Sequence, residues 1–497
     1  MNKSIPFVFI MNKTDKKLET KINDMLGNIF TQADLKSLAK NKGIIVKGID
    51  KSGLVELVVE KFLIPEKIVE VFNDLAPHYQ FLLHYLKIHK DPIDLKRAMR
   101  YLNNWESAQS RGSFMWLSAK EYRKSFIQLK NDLAVKGLVI IIQSNHYGSY
   151  NSQFERYDFL LPPQFSSLLP PLPIQGVKRD KPTTTYSFEL FVKDVILSSI
   201  GLKNPKHKME QKIADHISWR EGIAHFHDRP IRRIENLLTA IYSTLRARNV
   251  HDYSFYKLDV VTNLFYLLET LPTAEWMSFS KMQELFFQLT CLQDTEKREK
   301  ILHKVCDEAA VMGLMEKSTD EKESYYRLRR KDCRVARGDT ADISVHCEGI
   351  ATEHDGSLCI DHRRISAFAL FEILSISAWE ISKDALRCSP SLIKCGKIYR
   401  ARSDFSSLRL YGYLYDNSSL YKRAFSKVEK NFGKFMLHSN LSIFEIQDVT
   451  ISALLQHTFP EAFHPVRGNF FAVSEKDEMR ILNFLEQKKY SIRISDE

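Results

Sequence analysis

Nowhere does the chain approach 18 uninterrupted apolar residues, which excludes a helix that spans a bilayer and leaves no membrane partner to expect. Met1–Ile10 has only a brief apolar run and no small-residue cleavage site, so no signal peptide is expected. Cysteine is sparse. Seven in 497 residues, odd in number and scattered, suit a reducing compartment better than a disulfide framework. The expected location is the cytoplasm, with the nucleoid as the site if the source is prokaryotic.

The short motifs of chemistry are missing as well. Gly43 and Gly48 have the spacing of a phosphate-cradling loop, but Ile49-Asp50 stands where Lys and Ser/Thr would contact phosphate and magnesium. ATP hydrolysis by this chain alone is not expected. No Gly-x-Ser-x-Gly elbow, His-Glu-x-x-His or Gly-x-Gly-x-x-Gly is present. The reading is therefore non-enzymatic, with no cofactor implied.

What is present is a basic, core-forming chain. Apolar residues make up 44%, too many for a mostly disordered protein, and 497 residues suffice for roughly three domains. Lysine and arginine outnumber aspartate and glutamate by 72 to 61, and the sequence pI is about 9.0, which favours a polyanionic partner such as nucleic acid.

The stretch from Ser118 to Leu161 organises the rest. Ser118 with Glu121 three residues on is a capping box, so a helix starts here. Tyr122, Phe126, Leu129 and Leu133 fall on one helical face, while Lys120, Lys124 and Asn131 project from the other. Gly137 is the left-handed stop. Leu138–Gln143 is β-branched and short, so a strand follows; Asn145–Ser149 turns it, and Ser152–Leu161 returns to Pro162-Pro163. Helix, strand, turn, strand is the order of a winged helix. From Arg111 to Gly137 six basic residues face two acidic ones, so the exposed helix face is positive.

Residues 11–65 read as a Lys-rich helical hairpin. Thr31 caps a helix from Gln32 to about Asn41, Lys51–Leu63 makes a second, and Gly43 and Gly48 mark the crossing. Leu35, Leu38, Gly43, Gly48, Lys51, Leu54 and Val55 stand where the SAP module, a DNA-binding helical hairpin, has its apolar, glycine and lysine positions, and the segment resembles that module. The chain departs from it by one extra residue between Gly48 and Lys51 and by Gly53.

Ile68 to Leu75 and Phe81 to Leu86 give two helical stripes, and Asp91-Pro92 is expected to start a third helix, completing a first winged-helix domain over 66–173. Pro162–Pro173 and Lys178–Thr185 read as an extended linker, followed by a helix at Phe188–Leu202, within a linker and helical segment over 174–230. From 231 to 338 the pattern returns, with helices around Leu237–Leu245, Val260–Leu268, Trp276–Leu289 and Glu296–Met312. Ala309–Met315 repeats the helix end, glycine and strand start of Leu133–Val139, and Tyr325–Arg329 is the return strand, which makes a second winged helix. Its exit, Lys322–Gly338, holds seven basic residues against two acidic ones.

The remainder, 339–497, is expected to be a mixed α/β domain. Ile365–Ile376 has helical spacing, Leu408–Leu414 alternates like a tyrosine-rich strand, and Lys397–Lys434 is basic. Phe470–Val473 is a strand, Ser474 with Asp477 caps a helix to about Lys489, and Tyr490–Ile494 closes as a strand. The fold class is thus mainly α with small β-hairpins (α+β): a SAP-like hairpin, two winged helices and a C-terminal α/β domain. This order, with the run Phe470 to Asp477, resembles the accessory, non-motor region of prokaryotic XPB-type helicase proteins. That resemblance implies a DNA-handling role without chemistry, beside a helicase or nuclease subunit.

The residues expected to contact double-stranded DNA are Lys36, Lys47 and Lys51 in the hairpin, Lys120, Arg123, Lys124, Asn131 and His146 in the first winged helix, and Arg327, Arg329, Arg330 and Lys331 at the second wing. Lysine and arginine would neutralise phosphates, and Asn131 could read a base edge. In one alternative the winged helices are assembly modules and Tyr147, Tyr150, Tyr325 and Tyr326 are interface anchors. In another, His225, His227 and Asp228, with Glu221 upstream, form a metal-dependent nuclease or hydrolase site, since a strand would send both imidazoles to one face. Cys347, His354, Cys359 and His362 match no zinc spacing.

Overall fold

The computed structural model describes residues 13–64, 67–102, 118–143, 156–172, 174–179, 186–220, 222–247, 249–251, 257–291, 296–321, 323–341, 343, 345–382, 385–402, 404–405, 408–431, 441–488 and 490. The architecture is mixed α+β, with helices packed around several small antiparallel sheets.

The N-terminal part begins with α1 (Lys13–Asp24), which widens into a π turn at Met25–Ile29. This helix is absent from the sequence reading, although Ile22, Met25 and Leu26 bury one face of it. Thr31 then caps α2 (Gln32–Asn41) through the capping box with Asp34, and Asp50 caps α3 (Lys51–Phe62). Gly43 and Gly48, at φ +70° and +71°, make the left-handed bends that bring Leu35, Leu38, Leu54 and Val58 together in full burial.

Next come α4 (Ile68–Asn73), α5 (Pro77–His89), β1 (Ile93–Asp94) and α6 (Leu95–Met99). Pro92 does not start α6. Asp94 does, by accepting from the Arg97 amide at 2.7 Å, because Ile93 and Asp94 are drawn into a sheet. Helix α7 (Ala119–Leu129) ends in a π turn at Lys130–Ala134, and the hairpin of β2 (Ile140–Gln143) and β3 (Tyr157–Leu160) follows. The sheet order is β1-β3-β2, and Phe159 sits opposite both Ile93 and Ile141.

The proline-rich stretch packs instead of crossing the surface as a linker. It forms α8 (Pro163–Ser166), and Phe165, Leu169 and Leu172 are buried, since apolar residues between the prolines have a core within reach. The segment after it is likewise a folded unit. It holds β4 (Val177–Lys178), α9 (Phe188–Ser199), α10 (Lys208–Ala214) and a three-stranded meander of β5 (Ile217–Arg220), β6 (Ile223–Phe226) and β7 (Arg229–Ile231).

The second repeat runs through α11 (Ile234–Arg246), the hairpin β8 (Asn249–His251) and β9 (Lys257–Asp259), α12 (Val260–Thr270), β10 (Glu275–Ser278), α13 (Phe279–Thr290), α14 (Glu296–Val311), β11 (Met315–Thr319) and β12 (Ser324–Leu328). Trp276 belongs to strand β10, and Ser278 caps the helix after it. The sheet order β11-β12-β10-β4 repeats that of the first sheet with one added edge strand. Among the described residues, both units run helix, short strand, two helices and hairpin in the same order.

Helix α15 (Arg330–Ala336) leads to β13 (Ile350–Thr352), β14 (Leu358–Ile360), α16 (Ala367–Ile376), β15 (Ser377–Ser382) and β16 (Ala385–Pro390), in the order β13-β14-β16-β15. All ten residues of α16 are buried, the mark of a central helix. Then α17 (Leu392–Arg402), α18 (Tyr411–Asn417) and α19 (Ser419–Asn431) follow. The expected tyrosine strand at Leu408–Leu414 is thus α18 and its entry. Leu410 and Leu414, four apart, are both buried, and this helical pairing outweighs the tyrosines' strand preference.

One apolar core runs unbroken from Ile22 to Phe425, across the boundaries expected at 173, 230 and 338. A second, small core belongs to β17 (Leu441–Glu445), α20 (Val449–Thr458), β18 (Phe463–Arg467), β19 (Phe470–Ser474) and α21 (Glu475–Gln487), with sheet order β17-β19-β18. Ser474 donates to Asp477 at 2.7 Å at the start of α21. The closing strand expected at Tyr490–Ile494 lies outside the described residues beyond Tyr490. No helix among the described residues is long and apolar enough to cross a membrane.

Candidate nucleic-acid interface

The capping box that starts α7 is formed as read. The Ser118 amide donates to the Glu121 carboxylate at 2.7 Å, and the Glu121 amide returns to the Ser118 hydroxyl at 3.3 Å. Tyr122, Phe126, Leu129 and Leu133 are buried, which fixes the rotation of the helix and turns Lys120, Arg123, Lys124 and Asn131 outward. No ion pair engages Lys120, Arg123 or Lys124 among the described residues. Their charge is available to a ligand. His146 lies outside the described residues, as do Arg111 and Lys322.

Lys130 belongs to the fold and not to this face. It is buried, its ammonium 2.6 Å from the Asp34 carboxylate and 5.9 Å from the Phe30 ring centroid. Burial works to raise the Asp34 carboxyl, but the hydrogen bonds from Lys130 and Thr31 outweigh it and hold it below the ordinary carboxylate value. Asn41 donates to the Val135 carbonyl at 3.0 Å, so the N-terminal hairpin is fastened along the end of α7. Within the hairpin Lys36 and Lys47 are exposed, whereas Lys51 donates to the Gly27 carbonyl at 2.9 Å and closes the π turn after α1.

The second unit corrects the expectation of a basic wing. Arg327 forms a fork with Glu316, its Nε at 2.6 Å, and lies over the Trp276 ring at 4.6 Å. Arg329 reaches the same carboxylate at 3.2 Å. Arg330 donates to the carbonyls of Glu269, at 2.8 Å, and Leu271, answering the unpaired end of α12. These three guanidiniums hold structure, and Lys331 alone of the expected four is exposed. The aromatic anchors differ too: Tyr326 is fully buried, its hydroxyl donating to Asp307 at 3.0 Å, and Tyr325 lies under Arg179 at 3.6 Å. Tyr147 and Tyr150 lie outside the described residues.

The two histidines do not share one strand face. Strand β6 ends at Phe226, and His227 and Asp228 turn away at φ +49° and +61°. His227 lies against His216, the rings tilted by 38° with centroids 4.1 Å apart, Asp228 pairs with Arg220 at 3.0 Å, and Glu221 lies outside the described residues. No group of three metal-ligating side chains occurs among the described residues, and Cys359 lies within strand β14.

Two hollows remain. One, of about 250 Å³, has Arg232, Arg233 and Arg409 beside Glu235 and Glu372, but Arg409 is spent on Thr340 and the Phe368 ring, and Glu372 accepts from the Arg409 and Leu410 amides. The other, of about 550 Å³, opens between α10, α11 and α14. Lys208 and Lys212 are met there by Lys304, nearly a hundred residues later in the chain. No protein-family model matches the chain, and no curated protein is similar to it in sequence.

Proposed function

We propose that the chain binds double-stranded DNA without chemistry of its own, with the outward face of α7 as its contact. The observation that carries this reading is the triad Lys120, Arg123 and Lys124, exposed and unpaired on a helix whose other face is locked into the core. The order helix, strand, helix, helix, hairpin, with the first strand beside the last, supports reading both units as winged helices. Capped α2 and α3 with glycine bends between them support the SAP-like reading of the hairpin, which would add Lys36 and Lys47 to the basic surface. Asn131, exposed on the same side, would read a base edge.

The two units then differ in role. In the first the helix is free to enter a groove; in the second, Arg327, Arg329 and Arg330 are consumed by the fold. A second reading, an adaptor that seats a helicase or nuclease subunit, is favoured by one feature: Ile443, Val466 and Phe470 on the small C-terminal sheet are 58, 61 and 40% exposed. Such a role is compatible with DNA binding in the same chain.

The test is fluorescence anisotropy with labelled duplex over a salt series, for wild type and for Lys120→Ala/Arg123→Ala/Lys124→Ala. Three lost phosphate contacts should reduce the slope of log K against log salt by about 2.7. Equal slopes in the two proteins would remove α7 from the interface.

A further inference from the structure

The cleft of about 550 Å³ is built from parts distant in sequence. Helix α10 presents Lys208 and Lys212, one turn apart, with His216 after them; the β6–β7 turn presents His227; α14 presents Lys304 from the opposite wall. No ion pair engages Lys208, Lys212 or Lys304 among the described residues, and Glu308 is the one acidic side chain in the lining. The volume lies within the range of small-ligand sites. An unfilled cluster of ammonium groups repels itself, and a multiply charged anion removes that cost.

The position of α14 sharpens the point. It is the counterpart of α7 in the second unit, yet one side of it walls this cleft, with α10 and the meander beyond. What it offers there is one wall of a half-open cleft.

We propose that this cleft binds a phosphate group, held by Lys208 and Lys212 on one side and Lys304 on the other. Lysine suits phosphate because it acts as a point charge that needs no planar partner. The tilted imidazoles of His216 and His227 lie in the same lining. Burial lowers the proton affinity of His227, and the neighbouring His216, Arg229 and Lys212 lower it further against the opposing pull of Asp228, so the site is already rich in positive charge. The phosphate comes either from a free oligophosphate or from the end of a nucleic-acid strand. The inference does not depend on duplex binding by α7.

The experiment is calorimetric titration of the full chain with inorganic pyrophosphate at low salt. It is repeated on Lys208→Gln/Lys212→Gln/Lys304→Gln, all at exposed positions, and on the α7 triple-alanine variant. The expected result is binding to wild type and to the α7 variant, weakened at least roughly tenfold in the cleft variant. A 5′-phosphorylated single-stranded oligonucleotide is then added as competitor: displacement identifies the strand end as the source, and persistence identifies the free oligophosphate. Equal affinity in wild type and cleft variant, or no binding of either probe to wild type, overturns the proposal. A duplex-binding defect confined to the α7 variant tests the other reading separately.

Discussion

Lowering the pH should loosen the seam between the two repeated units before the rest of the core. Helix α5 of the first unit meets α12 of the second through a buried and a half-buried imidazole: His84 Nδ1 lies 2.5 Å from the Tyr266 hydroxyl, and His89 Nε2 lies 3.4 Å from the Asn263 amide. Burial, with Lys87 beside it, pushes His84 down to about 4, and burial with Arg97 pushes His89 down to about 4. An unfolded histidine titrates near 6.5. Above that value neither state binds the proton and stability is undiminished; between 6.5 and 4 the unfolded chain binds protons that the folded chain refuses, so stability falls as pH falls. At pH 5 the loss is ~2 kcal/mol per ring, or ~4 kcal/mol for the pair. Denaturant unfolding at pH 7 and pH 5, followed by circular dichroism and tryptophan fluorescence, measures it. The variant His84→Asn/His89→Gln places an amide where each ring nitrogen made its bond and cannot titrate. Its loss between pH 7 and pH 5 should be smaller than that of wild type by about the same ~4 kcal/mol. Equal losses in the two proteins would refute the argument, because the acid sensitivity would then reside elsewhere.

Other substitutions separate structural charge from available charge. Arg327→Gln should destabilise the chain by ~2 kcal/mol, since it leaves the half-buried Glu316 with fewer partners, while the salt slope of DNA binding stays as in wild type. Lys130→Met should cost ~3 kcal/mol in thermal or denaturant unfolding, and the double variant with Asp34→Asn should recover part of it, because the neutral amide oxygen still accepts from Thr31 and leaves no carboxylate without its cation. Gly313→Ala and Gly43→Ala both place a side chain at φ near +70°, worth ~1 kcal/mol. At Gly43 the new carbon meets nothing within 4 Å, whereas at Gly313 it would sit 2.5 Å from the Ser187 backbone, so Gly313→Ala should be the more damaging by at least ~1 kcal/mol in a thermal melt.

Local chemistry was legible in the sequence wherever partners are close in the chain. Thr31 with Asp34, Ser118 with Glu121, and the glycines at 43, 48 and 137 act within a turn of their neighbours, and each does in the structure what its type and spacing dictate. Strands of two to four residues were not legible. Ile93–Asp94 and Glu275–Ser278 become strands because β3 and β12 lie beside them, and no period of two can be read from so short a run. The meander after α10 failed for the same reason. Leu408–Leu414 failed by favouring tyrosine's preference over the i, i+4 leucine pair.

Charge is where sequence and function part most sharply. A basic run says how many cations a segment holds and nothing of what each already touches. Lys120, Arg123 and Lys124 are outward because the capping box and the apolar face of α7, both visible in the sequence, fix the helix's rotation. Arg327, Arg329 and Arg330 form an equally basic run, but their partners are Glu316 across a hairpin and carbonyls about sixty residues earlier. The cleft inverts the case. Lys208, Lys212 and Lys304 look unremarkable in two separate helices and become one positive site only when α10 and α14 face each other. Whether a cation is free is therefore a property of the tertiary fold, and the two sites proposed here rest on lysines and arginines that the fold leaves unspent.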